Sequence, residues 1–137
     1  MTYFLDTNAV IALMKNQPGF RKRLRRLGKR GASIAVSSVV LFELWYGVAL
    51  SKRSKETAER LRIFLSGSIN VVPFVEEDAK IAGELRGDLR AVGKPIGPYD
   101  LLIAAQALRW RATLVTANVS EFGRVRGLLV QNWAAEV

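Results

Sequence analysis

The chain contains no cysteine and no histidine. The first absence excludes disulfides and thiolate metal sites; the second removes the usual proton shuttle and imidazole ligand. No apolar run approaches the ~20 residues needed to span a bilayer. The N-terminus shows no basic stretch ahead of an apolar core, so no secretory signal is expected. Acids are scarce: 12 Asp and Glu face 21 Lys and Arg, a net charge of +9 over 137 residues. With half the residues hydrophobic, a folded domain of ordinary size is expected rather than disorder. No repeat, low-complexity tract or long linker divides the sequence, and residues 1–137 are read as one domain. A soluble protein of the reducing cytoplasm, without a membrane partner, is the expectation.

So positive a balance points to a polyanionic partner. Between Asp6 and Glu43 stand eight Lys or Arg residues and no acid: Lys15, Arg21, Lys22, Arg23, Arg25, Arg26, Lys29 and Arg30. Like charges at helical spacing repel one another. A single-sign cluster therefore favours a nucleic-acid contact over an ordinary solvated face, with acidic lipid or a basic dimer face as alternatives.

Apolar patterning alternates between strand and helix. Tyr3–Leu5 reads as a buried strand, and Asn8–Met14 carries helical spacing. Pro18 opens a second helical stretch through Leu27, closed by Gly28 and Gly31. Ser33–Val36 is a strand, Ser37 and Ser38 are caps, and Val39–Leu50 is a helix. Lys52–Leu65 is amphipathic, with Ala58, Leu61, Phe64 and Leu65 on its apolar side. Ile69–Phe74 is a third strand ended by its proline, and Glu76–Val92 a long helix with acids at its start. A Gly- and Pro-rich loop, Gly93–Pro98, leads to a helix over Leu101–Trp110 that is apolar nearly all round and hence central. Thr113–Thr116 and Leu128–Val130 supply the last strands. The alternation predicts an α/β fold on a mostly parallel sheet of four to five strands.

Three acids stand among apolar neighbours, where an unpaired carboxylate is costly: Asp6, Glu43 and Asp100. Each has an ordinary explanation. Asp6 and Asp100 suit helix caps, Glu43 suits pairing with a buried arginine, and Glu121 alone suits a surface position. In open α/β sheets, however, ligands bind beyond the carboxyl ends of the strands. Asp6 ends the first strand, Glu43 follows the second, Asp100 precedes the fourth, and Asn118 and Glu121 follow it. Five oxygen-bearing side chains are thus expected along one edge, which independent caps would not require.

The segments Phe4-Leu5-Asp6-Thr7-Asn8, Ser37 to Leu44 with Tyr46-Gly47, Ile96 to Ala105, and Leu114 to Phe122 resemble, in order and interval, the PIN-domain ribonucleases and their VapC toxins. Val130-Gln131-Asn132-Trp133 resembles the family's ending. The resemblance implies a three-layer PIN-like sandwich with helices on both faces of the sheet. It implies metal-binding acids at Asp6 and Asp100, and a catalytic or metal-coordinating acid at Glu43. The sequence departs from many members at Asn118, where Asp is frequent; either Asn118, through its neutral amide oxygen, or Glu121 a few residues later would fill that fourth position. Hard oxygen ligands suit Mg²⁺, with Mn²⁺ as a substitute.

Endonucleolytic cleavage of a structured RNA, leaving a 5′-phosphate and a 3′-hydroxyl, is what the family implies. Likeness to enterobacterial members points toward a tRNA anticodon loop, with translation inhibited as the outcome. Lys15, Arg21, Lys22, Arg23, Arg25 and Arg26 are the expected RNA grip. The family further implies a VapB-type antitoxin whose C-terminal segment crosses the site, here against Trp45, Tyr46 and Val48, and a homodimer, here through helices near Leu61 and Phe64. Two rivals stand beside this reading. A phosphatase using Asp6 as nucleophile wants a carboxylate where Asn8 stands. An RNA-binding module with structural acids would bind RNA without cutting it.

Overall fold

The computed structural model describes residues 1–134. The first strand, β1 (Thr2–Leu5), is buried from Tyr3 to Leu5, and a strand hidden on both faces needs layers on both sides. Successive side chains of a strand face opposite ways. The Tyr3 ring accordingly lies 6.2 Å from Trp133, which also meets Phe20, whereas Phe4 lies 6.1 Å from Trp110 on the other side.

Around β1 the described residues form α1 (Thr7–Met14), α2 (Phe20–Lys29), β2 (Ser33–Ser37), α3 (Ser38–Leu50) and α4 (Ser54–Leu65). There follow β3 (Ile69–Val72), α5 (Glu76–Ala91), α6 (Pro98–Arg109), β4 (Thr113–Val115), α7 (Val119–Phe122) and β5 (Leu129–Gln131). The sheet runs β3-β2-β1-β4-β5 with every pair parallel. This is the α/β, PIN-like architecture expected. The chain leaves β1 for β2 on one side and later returns to β4 on the other. The order therefore reverses between β1 and β4, and the carboxyl ends of those two strands open the crevice where such sheets take ligands.

Several boundaries differ from the sequence reading for local reasons. Gly19 adopts φ 89°, so the turn lies there and α2 begins at Phe20 rather than Pro18. Gly28 sits within that helix, on its exposed side, and Gly31 at φ 78° makes the turn out of it. Strand β3 stops at Val72 because side chains, not a ladder, take up the next backbone groups. Gln106 donates to the Val72 and Pro73 carbonyls (3.1 and 3.0 Å), and the Phe74 N–H donates to Ser38 Oγ at 2.9 Å. Ser37 caps α3 through Val39 N–H, leaving Ser38 as its first residue. The single turn of α7 carries too few apolar positions to show a period.

Helix α6 is central as expected, with Leu101 and Ile103 through Ala107 buried. An acid that sequence reasoning passed over fastens it. Asp78 is fully buried; it accepts from the Val75 N–H at 2.9 Å at the start of α5, and forms an ion pair with Arg109 at the end of α6. Breaking a buried pair strands a charge, so Asp78→Ala should destabilise the fold by about 3 kcal/mol. Urea unfolding checks this; a loss under about 1 kcal/mol would show that the pair is dispensable.

Candidate active site

Strand β1 ends at Leu5, and the next backbone N–H, that of Asp6, donates to Val115 O of β4 at 3.1 Å. The Asp6 carboxylate is thereby placed at the reversal point. Its Oδ1 accepts the Ala9 N–H at 2.8 Å, which caps α1, and the Thr116 hydroxyl at the end of β4 is a second partner. The cap reading of Asp6 is correct, and it does not exhaust the residue's surroundings. Only 7% exposed, Asp6 has its pKa raised, first by burial and last by the charge of Glu43, against the lowering pull of Thr116 and Ala9.

Glu43, in the second turn of α3, pairs with no arginine among the described residues. Its Oε1 accepts from the Thr7 hydroxyl at 2.8 Å, tying α3 to the start of α1. Asp100 lies in the first turn of α6 but is not its cap; Gly97 holds that position without a side-chain bond. Among the described residues nothing donates a hydrogen bond to Asp100. Burial, then the charges of Glu121, Glu43 and Asp6 in that order, push its pKa from 3.8 to about 6. Three acids from three other segments are thus near enough to act on it.

Glu121 is not an idle surface residue. Its Oε1 accepts the Gly97 N–H and its Oε2 the Asn118 amide, both at 2.6 Å. Asn118 is exposed, and its own backbone N–H donates to Thr116 Oγ1 at 3.0 Å. The amide therefore serves here to hold Glu121. The orienting residues Thr7, Gly97 and Thr116 were not singled out by sequence reasoning. Thr7 flanks Asp6 and Thr116 ends a strand, but neither position by itself signals a role.

The donor set is all oxygen, acidic, and without a Lys or Arg ion pair among the described residues. That chemistry suits a hard divalent cation. The side chains are not drawn into a chelate: among the described residues no group of three or more His, Cys, Asp or Glu is arranged to hold a metal ion. As placed, Glu43 is held by Thr7, and Glu121 by Gly97 and Asn118.

The residues expected to bind RNA fall into two groups. Lys15, Arg21, Lys22, Arg25 and Arg26 are exposed. Arg23 is half-buried, with its guanidinium 5.5 Å over Trp133 and donating to Gln131 Oε1 at 3.1 Å, so it fastens the chain after β5. Beside Glu43 a cavity of about 280 Å³ opens between α1, α3 and α4, with Ile11, Leu44, Gly47, Val48 and Leu61 in its wall. Trp45 and Tyr46 do not line it; Trp45 lies under Arg62, and Tyr46 is 59% exposed. Nor is Leu61 available to a second copy, being 1% exposed, and Phe64 packs on the core. Ala58 and Leu61 of the apolar side of α4 are buried, and Phe64 and Leu65 pack partly buried against the core. No helix among the described residues is long and apolar enough to cross a membrane.

Comparison with known proteins bears on the family and the fold. Residues 3–128 match the PIN domain family model. The chain belongs to the PIN-domain family. Its relatives there are VapC proteins. It is 42% identical over 134 residues to Ribonuclease VapC2 of Rickettsia felis, covering 97% of this chain and 98% of that one. It is 33% identical to the tRNA(fMet)-specific endonuclease VapC of Shigella flexneri, covering 98% and 99%. The fold superposes on a chain of the crystal structure of VapBC2 from Rickettsia felis bound to a promoter DNA fragment, with TM-score 0.92, 40% identity, and 97% and 99% of the two chains covered.

Because Asp100 is harder to ionise folded than unfolded, it destabilises the metal-free fold at neutral pH. Above about pH 6 that penalty is fully present. As pH falls from 6 toward 4 the folded chain takes up a proton that the unfolded chain does not, and stability rises. Asp100→Asn should therefore stabilise the metal-free protein at pH 7.5. The shift corresponds to about 3 kcal/mol at full strength, reduced to roughly 1–2 kcal/mol by solvent screening. Thermal unfolding in EDTA tests this, and a variant less stable than the parent would contradict it.

Proposed function

We propose that this chain is a VapC-type endoribonuclease that hydrolyses a phosphodiester of a structured RNA, uses Mg²⁺ or Mn²⁺, and is restrained by a VapB-type antitoxin. The observation that carries the reading is the gathering of Asp6, Glu43, Asp100 and Glu121 at the sheet's reversal point without a neutralising side chain among the described residues; there burial first, and the neighbouring acids after it, push Asp100 to about 6. Structural acids have no reason to be assembled where they repel.

Asp6, Asp100 and Glu43 are the residues that would hold the cation. When bound, such an ion lowers the pKa of a water and offsets charge on the phosphoryl oxygens. The remaining work belongs to the chain. Ala9 and Thr116 keep the Asp6 carboxylate from turning away. Glu43, kept in place by Thr7, is positioned to accept a proton from the attacking water. Glu121 completes the acid set, with Asn118 as its clamp. The exposed cations Lys15, Arg21, Lys22, Arg25 and Arg26 hold phosphates and set register without reading bases.

A tRNA anticodon loop is the substrate favoured here, because the Shigella flexneri and Salmonella typhimurium relatives are tRNA(fMet)-specific endonucleases and unpaired loops expose the bases that proteins read. The apolar cavity beside Glu43 is the seat proposed for the antitoxin's C-terminal segment, since similar chains occur in VapBC complexes. Pairing of two copies fits the outer side of α3, where Phe42, Tyr46 and Leu50 are 53%, 59% and 67% exposed at helical spacing.

Incubating the protein with total RNA in Mn²⁺ and in EDTA tests the enzymatic core of the reading. Cleavage should require the metal, and Asp6→Asn should lower it more than about 100-fold while circular dichroism shows the fold retained. Binding without cutting in either buffer would favour the non-enzymatic rival.

A further inference from the structure

The acid site cannot grip an RNA backbone by itself, and the basic residues of α2 lie on none of the elements that carry the acids. A second group of cations faces the loop that carries Gly97. The loop from α5 to α6 forms one wall of a cavity of about 380 Å³, made with Pro95, Ile96 and Pro98, while Arg86 and Arg90 of α5 form the other. No acid lines it. Arg86 and Arg90 are four residues apart, so their side chains stand side by side, whereas Asp88 between them projects elsewhere. Neither arginine joins an ion pair among the described residues, although Lys80 and Glu84, one turn earlier, do so at 3.8 Å. A third cation meets the same wall, Arg124 donating to Pro95 O at 2.8 Å. Ile96 and Pro98 flank Gly97, whose N–H holds Glu121 and whose Cα would carry a methyl 3.6 Å from Asp100 Oδ2. The cavity and the acids therefore share one strip of backbone.

We infer that the Arg86–Arg90 cavity is a phosphate subsite that seats two successive backbone phosphates of the RNA strand next to the acids. This rests on the ribonuclease reading above. Charge selects the occupant: two unpaired guanidiniums over an apolar floor, with no carboxylate, complement a sugar–phosphate backbone, and Arg forks suit phosphate oxygens. The subsite holds the strand against the repulsion of the acids.

The test uses the Asp6→Asn chain in Mg²⁺ buffer with a short fluorescent single-stranded RNA, its anisotropy followed over a range of salt. Arg86→Ala with Arg90→Ala should weaken binding about tenfold at low salt and flatten the plot of log affinity against log salt by about 1.4, the share of two phosphates on a single strand. Arg86→Lys with Arg90→Lys should restore the slope, which a folding defect would not allow. Lys52→Ala with Lys55→Ala removes the same charge from the start of α4 and should leave the slope unchanged. An unchanged slope in the Arg86/Arg90 alanine pair overturns the subsite, even where wild-type protein cuts RNA. So does a loss of affinity for a fluorescent acidic peptide in that alanine pair while its affinity for RNA is unchanged. Cleavage of the probe by Asp6→Asn would instead overturn the role given to Asp6, a separate and visible failure.

Discussion

The burial of carboxylates close to one another at the β1/β4 reversal is the constraint around which the rest of the chain is arranged. Burial alone raises the cost of ionising Asp6 and Asp100, and each is further opposed by neighbouring acids. The fold tolerates this because the structure around the site is tightly held. Asp6 is bonded to α1 and β4, Glu43 to the start of α1, and Glu121 to Gly97, the last residue of the loop that enters α6. Elsewhere the same chain satisfies its buried charge in the ordinary way, with Asp78 paired to Arg109. The contrast between these two sets of acids separates a structural carboxylate from one kept for chemistry.

The surface carries the opposite sign. A chain of net charge +9 surrounds a small acidic crevice with cations, on α2 to one side and on α5 near the loop before α6. Long-range attraction brings a polyanion in, and the crevice itself demands a counter-ion before a phosphate can sit there. Binding and chemistry are thus divided between residues of opposite charge, and salt and divalent metal are expected to act on different steps.

Much of this was legible in the sequence, because parallel strands buried on both faces read as short apolar runs and their following acids mark one edge. The α/β class, the five strands and the meeting of Asp6, Glu43, Asp100 and Glu121 follow from that pattern. What was not legible depended on tertiary neighbours. Arg23 looks like its neighbours in sequence but meets Trp133, a residue more than a hundred positions away. Leu61 and Phe64 look like a free apolar side until α4 is seen packed inward. Trp45 and Tyr46 lie near the expected groove, yet helical rotation gives its wall to Leu44, Gly47 and Val48. Asp78 passes as one of three acids at a helix start, and only its burial distinguishes it.

The carboxyl carbon of Asp100, followed by NMR as pH is varied, reports on the central claim without reference to activity. In metal-free buffer the account predicts a midpoint near 6, well above an ordinary aspartate. Adding Mg²⁺ should move that midpoint downward as a cation replaces repulsion with attraction. A midpoint in the ordinary aspartate range, indifferent to Mg²⁺, would contradict it.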